Sequence, residues 1–161
     1  MCLIVFSYQE NKESSKAFPG SLILAANRDE YYERPTESMH WWESEGVLAG
    51  KDLQAGGTWL AISDDGRFIL VFNGEIYNAF ELRKKLKDKN YSFESTSSDT
   101  EVLLKLFIEY GTEACHQLRG MFAFVVWDKR AQILYAYRDR IGIKPLYFAC
   151  RDGQVLFGSE P

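Results

Sequence analysis

The chain has 161 residues, 46% of them hydrophobic and 26% charged, with a formal net charge of −4. That is enough length for one domain with a substantial core. The acidic balance offers no electrostatic footprint for nucleic acid, and no apolar run is long enough to span a membrane. Cys2, Cys115 and Cys150 are widely spaced and share no paired pattern, so neither a disulfide framework nor a metal site is expected. A reducing cytoplasm is the expected compartment.

In chain order, "CLIVFSY" reads as a β-strand, too short for a signal-peptide core and without a basic leader. After the polar stretch closed by Pro19-Gly20, "SLILAAN" reads as a second strand that breaks into "RDEYYERP". Residues 36–57 read as irregular, with Trp41 and Trp42 expected to pack in the core or at its rim. "TWLAIS" and "RFILVFN" flank Asp65-Gly66, the strongest hairpin signal in the chain. Asn78 with Glu81, and Ser98 with Glu101, carry the cap-and-return spacing of helix starts. The first helix, "AFELRKKLKDK", is expected to turn its Arg/Lys-rich face to solvent; the second, "EVLLKLFIEY", stops at Gly111. A short helical piece within 112–119 precedes four strand-like runs, "MFAFVVWD", "QILYAYRD", "PLYFAC" and "QVLFGSE". About eight strands and two helices predict an α+β fold in which two mainly antiparallel sheets pack face to face and helices cover an outer face.

Cys2 is the first candidate for chemistry. Its ordinary reading is a small apolar residue in a strand. Loss of Met1 would give it both a thiol and a free α-amine, and an amine with a pKa of about 7.7–8.0 can act as base for its own side chain. No His is then needed, and His40 and His116 sit in no recognisable catalytic setting. A thiol attacking an amide needs donors for the oxyanion. Asn73 and Gly74 in "FNGE" could supply a side-chain amide and a backbone N–H, or could form a turn.

From residue 69 onward, "LVFNGEIYNAFELRKKL", "SSDTEVLLKL", "LRGMFAFVVWD", "RDRIGIKPLYFA" and "LFGSEP" resemble the glutaminase domain of asparagine synthetases. That domain is a class-II glutamine amidotransferase of the N-terminal-nucleophile (Ntn) hydrolase fold. The resemblance implies Asn73 and Gly74 as oxyanion hole, Asp99 as the site for the substrate's α-amino group, and Glu75 with Gly74 along the glutamine pocket. It also implies that the synthetase domain is absent from this chain and that no cofactor or metal is needed. Arg138 and Asp139 match a motif expected to shape a strand-to-loop turn before Lys144.

Residues 1–68 lack the family's "HRGPD" and "RRLSI" stretches, and with them the arginine that grips glutamine's α-carboxylate. Arg28 is the substitute candidate, its alternative being a structural salt bridge. "LILAANRDEYYERP" and "LAGKDLQAGGTWLAIS" instead resemble the NRDE family, for which a haem-trafficking role has been proposed. The expectation is one Ntn-type domain over 1–161, recombined from an NRDE-like half (1–68) and a glutaminase-like half (69–161). Its expected activity is hydrolysis of glutamine or a related amide; the alternative is a folded, non-catalytic binding module or scaffold. A strand edge left uncovered near Pro161 would predict self-association.

Overall fold

A computed structural model describes residues 4–10, 20–26, 31–42, 46–151 and 154–159. Ten strands are present among them: β1 (Ile4–Glu10), β2 (Gly20–Ala26), β3 (Thr36–Trp42), β4 (Val47–Asp52), β5 (Leu60–Ser63), β6 (Phe68–Ile76), β7 (Gly120–Asp128), β8 (Ile133–Arg138), β9 (Tyr147–Arg151) and β10 (Gln154–Gly158). The helices are α1 (Ala79–Lys87), α2 (Asp99–Tyr110) and, after a 3₁₀ turn at Gly111–Glu113, the single turn α3 (Ala114–Gln117). The fold is α+β, with two antiparallel sheets.

Two compact units divide the chain. One holds the four-stranded sheet in the order β2-β1-β10-β9. Here β10 pairs with β1 on one side and β9 on the other, so the strand nearest Pro161 is internal and offers no open edge for self-association.

The other unit, Tyr32–Lys144, contains a six-stranded meander in sequence order, β3 to β8, together with the helices. Alternation along β6 sets its core: Phe68, Leu70, Phe72 and Ile76 join Phe122, Phe124 and Val126 of β7 in one apolar cluster. Helix α2 covers that face. Its Val102, Leu103, Leu104 and Leu106 have no exposed surface, as befits a helix apolar on nearly every side. Phe107 meets Phe68 edge-on at 5.5 Å, and Tyr137 stacks on Phe124 at 4.8 Å.

Residues 36–57, expected to be irregular, contain β3 and β4. β3 is an edge strand whose first four residues are exposed, with a register shift between Glu37 and His40, so no alternation announces it. Trp42 is buried, with the Lys51 ammonium over its ring, and Trp41 is half exposed.

The helix starts divide the cap expectations. Ser98 caps α2, its hydroxyl accepting from Glu101 N, but Glu101 does not reach back to Ser98. Its carboxylate lies fully buried and accepts from Glu94 N, Ser95 N and Lys105 Nζ. Asn78 makes no cap bond. Its amide reaches across to the segment entering β7, donating to Gln117 O and accepting from Arg119 N. Arg83, expected on the solvated face of α1, is buried instead; its guanidinium bonds Ser95 O and Ser98 O and lies 3.9 Å from Glu101.

Candidate active site

The C-terminal end of β6 gathers the candidates that the described residues contain. "FNGE" forms no turn: β6 runs straight through Asn73, Gly74 and Glu75, pairing with Ala123, Phe122 and Met121 of β7. Gly74 is required there, because a Cβ would stand 2.2 Å from Met121 O at a φ of +152°. The missing side chain therefore serves the close approach of β7. Gly120 mirrors it: its Cβ would fall 2.1 Å from Glu75 O.

Register decides where the Gly74 N–H points. Phe122 donates its N–H to the Asp139 carboxylate and accepts at its carbonyl from Asp139 N, so both its backbone groups face β8. Gly74 and Phe122 are consequently a non-hydrogen-bonded pair, and the Gly74 N–H faces away from β7. Its neighbours two residues either way agree. Phe72 N donates to Trp59 O at 2.9 Å, and Ile76 N donates to Asp99 Oδ2 at 2.7 Å. Three N–H groups thus line one edge of β6, with a backbone carbonyl on the first and a carboxylate on the last.

Asp99 is the first residue of α2 and is half-buried. Burial pushes its carboxyl above the ordinary value, and the nearby Glu75 charge pushes the same way; the Ile76 N–H and Arg83 pull against them without prevailing. A carboxylate kept short of charge compensation is suited to an ammonium partner. Glu75 is exposed, and Asn73 is partly so.

Two supports of this end have no single-residue signature. The loop at 55–58 is tied to the start of α2 by Ser97 Oγ donating to Ala55 O at 2.9 Å and Thr100 Oγ1 donating to Thr58 O. Behind it lies the buried set Arg83, Glu101 and Lys105, with Lys105 Nζ 3.1 Å from Glu101. Only the four-residue spacing of Glu101 and Lys105 could have signalled that set.

Cys2 and Arg28 lie outside the described residues. Arg138 and Asp139 hold the turn after β8: Asp139 accepts from Ile143 N and Lys144 N, and Arg138 donates to Gly142 O and Lys144 O. No group of three metal-ligating side chains occurs among the described residues, and none of their helices is long and apolar enough to cross a membrane.

Comparison with known proteins identifies the family. A family model for the glutamine amidotransferase domain matches residues 1–161. The chain is 50% identical over 166 aligned residues to asparagine synthetase [glutamine-hydrolyzing] 1 of Bacillus subtilis, covering 99% of this chain and 26% of that protein. With asparagine synthetase [glutamine-hydrolyzing] of Zea mays it shares 46% identity over 99 residues, 61% of this chain and 16% of that one. Among solved structures, glutamine phosphoribosylpyrophosphate amidotransferase from B. subtilis aligns with a TM-score of 0.50 and 25% identity, over 57% of this chain and 21% of that chain. The chain thus spans about a quarter of the length of its Bacillus synthetase relative. Residues 1–68 fall inside the family match and the B. subtilis alignment, so the expected NRDE-like half and a join near residue 69 find no support here. The two antiparallel sheets, the lines of N–H donors and acid at the end of β6, and these matches lead to one assignment: the chain belongs to the glutamine amidotransferase domain family.

Proposed function

We propose that this chain hydrolyses the side-chain amide of glutamine to glutamate and ammonia. After removal of Met1, the Cys2 thiol gives its proton to its own α-amine and attacks the amide carbon. The oxyanion accepts from the Asn73 side-chain amide and the Gly74 N–H. The tetrahedral adduct collapses with transfer of that proton to the departing nitrogen, releasing ammonia and leaving a thioester. Water then adds to the thioester carbon and expels the thiol, yielding glutamate.

Asp99 takes the substrate ammonium in this reading, Glu75 and Gly74 line the pocket, and Arg28, on sequence position alone, holds the α-carboxylate. All of 1–161 serves as one Ntn-type domain. The observation that carries the reading is the β6 edge, where the Gly74 N–H faces the same side as the Ile76–Asp99 bond. The oxyanion donor on β6 and the ammonium site at the start of α2 are in this reading held in register by that bond.

Ammonia release from glutamine tests this, together with labelling by a glutamine-analogue diazo-ketone after intact mass has verified loss of Met1. Turnover and a single adduct that Cys2→Ala abolishes are expected. A trimmed protein that neither turns over glutamine nor takes the label is a non-catalytic module.

A further inference from the structure

A cavity of about 620 Å³ opens on the helix-bearing face of the six-stranded sheet, beside α3 and the end of β8. Asn73 and Glu75 lie on the opposite side of the sheet, because alternation puts Phe122 and Tyr137 of this cavity on the face of Phe72 and Phe124. Its floor is Cys115, Leu118, Phe122 and Tyr137, and Arg119 and Arg140 stand exposed at its mouth.

Both walls are held by internal polar bonds. Asn78 grips the α3–β7 junction through Gln117 O and Arg119 N, each at 2.9 Å. The facing turn hangs on Asp139, which accepts from Phe122 N, Ile143 N and Lys144 N. Arg138 braces the same turn through Gly142 O and Lys144 O, both at 2.7 Å. Such a cavity is formed before any ligand arrives, and its size is that of small-molecule sites.

The charge pattern selects the ligand. Burial pushes the Cys115 thiol up to about 11 and the Tyr137 hydroxyl up to about 12, so the floor is neutral at physiological pH. Around it stand Arg119, Arg138 and Arg140 against Glu113 and Asp139, a cationic excess on a chain of net charge −4. The Asp139 carboxylate is already occupied by backbone N–H groups. Glutamine, with only two methylenes between its polar ends, does not suit an apolar floor. We propose that this cavity binds a small organic carboxylate with a flat apolar body, an aryl carboxylate, at a site separate from that of glutamine.

Titration of ¹⁵N-labelled protein with 2-naphthoate tests the proposal, with 2-naphthamide as the uncharged match. Expected are amide shifts confined to residues 112–120 and 137–141, and an acid-over-amide preference of about tenfold, the size of one charge-assisted contact. Arg119→Gln/Arg140→Gln should lose that preference while keeping the wild-type melting temperature, both side chains being exposed. Cys115→Phe, which fills the floor, should lose both ligands. Absence of shifts in those segments, equal binding of acid and amide, or undiminished binding of naphthoate by the double variant would overturn it.

Discussion

The two ends of β6 share one strand and differ in how they treat a carboxylate. At the Phe68 end the carboxylates of Asp65 and Asp128 are both answered. Arg67 forks onto Asp128, Arg130 N and Ala131 N donate to the same carboxylate, and Asp65 accepts from Ser63 Oγ and Arg67 N within the hairpin turn. Asp65 and Asp128 are both held below the ordinary carboxylate value: their hydrogen bonds and the arginines beside them outweigh burial, although burial is the largest single influence on each. At the Ile76 end the same strand meets Asp99, and there burial prevails, raising the carboxyl. One end is a clasp. The other holds an acid whose pKa burial raises, and in the proposed reading an arriving ammonium would relieve it.

Substitutions can break the contrast at either end. Gly74→Ala should cost about 3 kcal/mol or more, since its Cβ meets backbone on β7 and adds strain to overpacking; urea unfolding measures it. Asp128→Asn should cost about 2 kcal/mol by removing a charged acceptor of several bonds. It should also flatten the acid limb of the stability curve. A carboxyl with a lowered folded pKa stabilises fully above its unfolded value of about 3.9 and loses that contribution as pH falls. Asp65, Asp128 and Asp139, the last lowered to about 2 mainly by the Lys144 and Ile143 N–H groups, all act in this window. Asp99 acts with the opposite sign, destabilising above its unfolded pKa and ceasing to do so when protonated. Ser98→Ala should cost about 1 kcal/mol, the ordinary loss of an N-cap, measured in the same urea experiment.

Much of this was legible in the residues because the relevant patterns are local and periodic. The long apolar runs of β6 and β7, the Asp65-Gly66 turn, and the Ser98 and Gly111 limits of α2 all match their sequence signals. Patterns failed where a side chain serves a distant partner. Asn78 has the spacing of a cap, yet it bonds Gln117 and Arg119, whose proximity depends on β6 pairing with β7. Arg83 looks like one cation among many on α1 until Glu101 is seen buried beneath it. β3 was hidden because an edge strand with little burial needs no alternation. Asn73, Gly74, Glu75 and Asp99 stand out in the sequence as candidates, but the structural need for Gly74 does not. Only the register of β6 and β7 shows which edge its N–H faces and which carbonyl fills its missing Cβ.

Asp99→Asn examines the central claim directly, with glutamine affinity from isothermal titration and melting temperature read on the same samples. An asparagine can still accept from Ile76 N, while the buried charge is gone. The account predicts that glutamine binding falls by about a hundredfold, the loss of a paired charge in a part-buried site, with a melting temperature equal to or above that of the wild type. Undiminished glutamine binding, or a variant that melts well below the wild type, would contradict it and make Asp99 a structural residue.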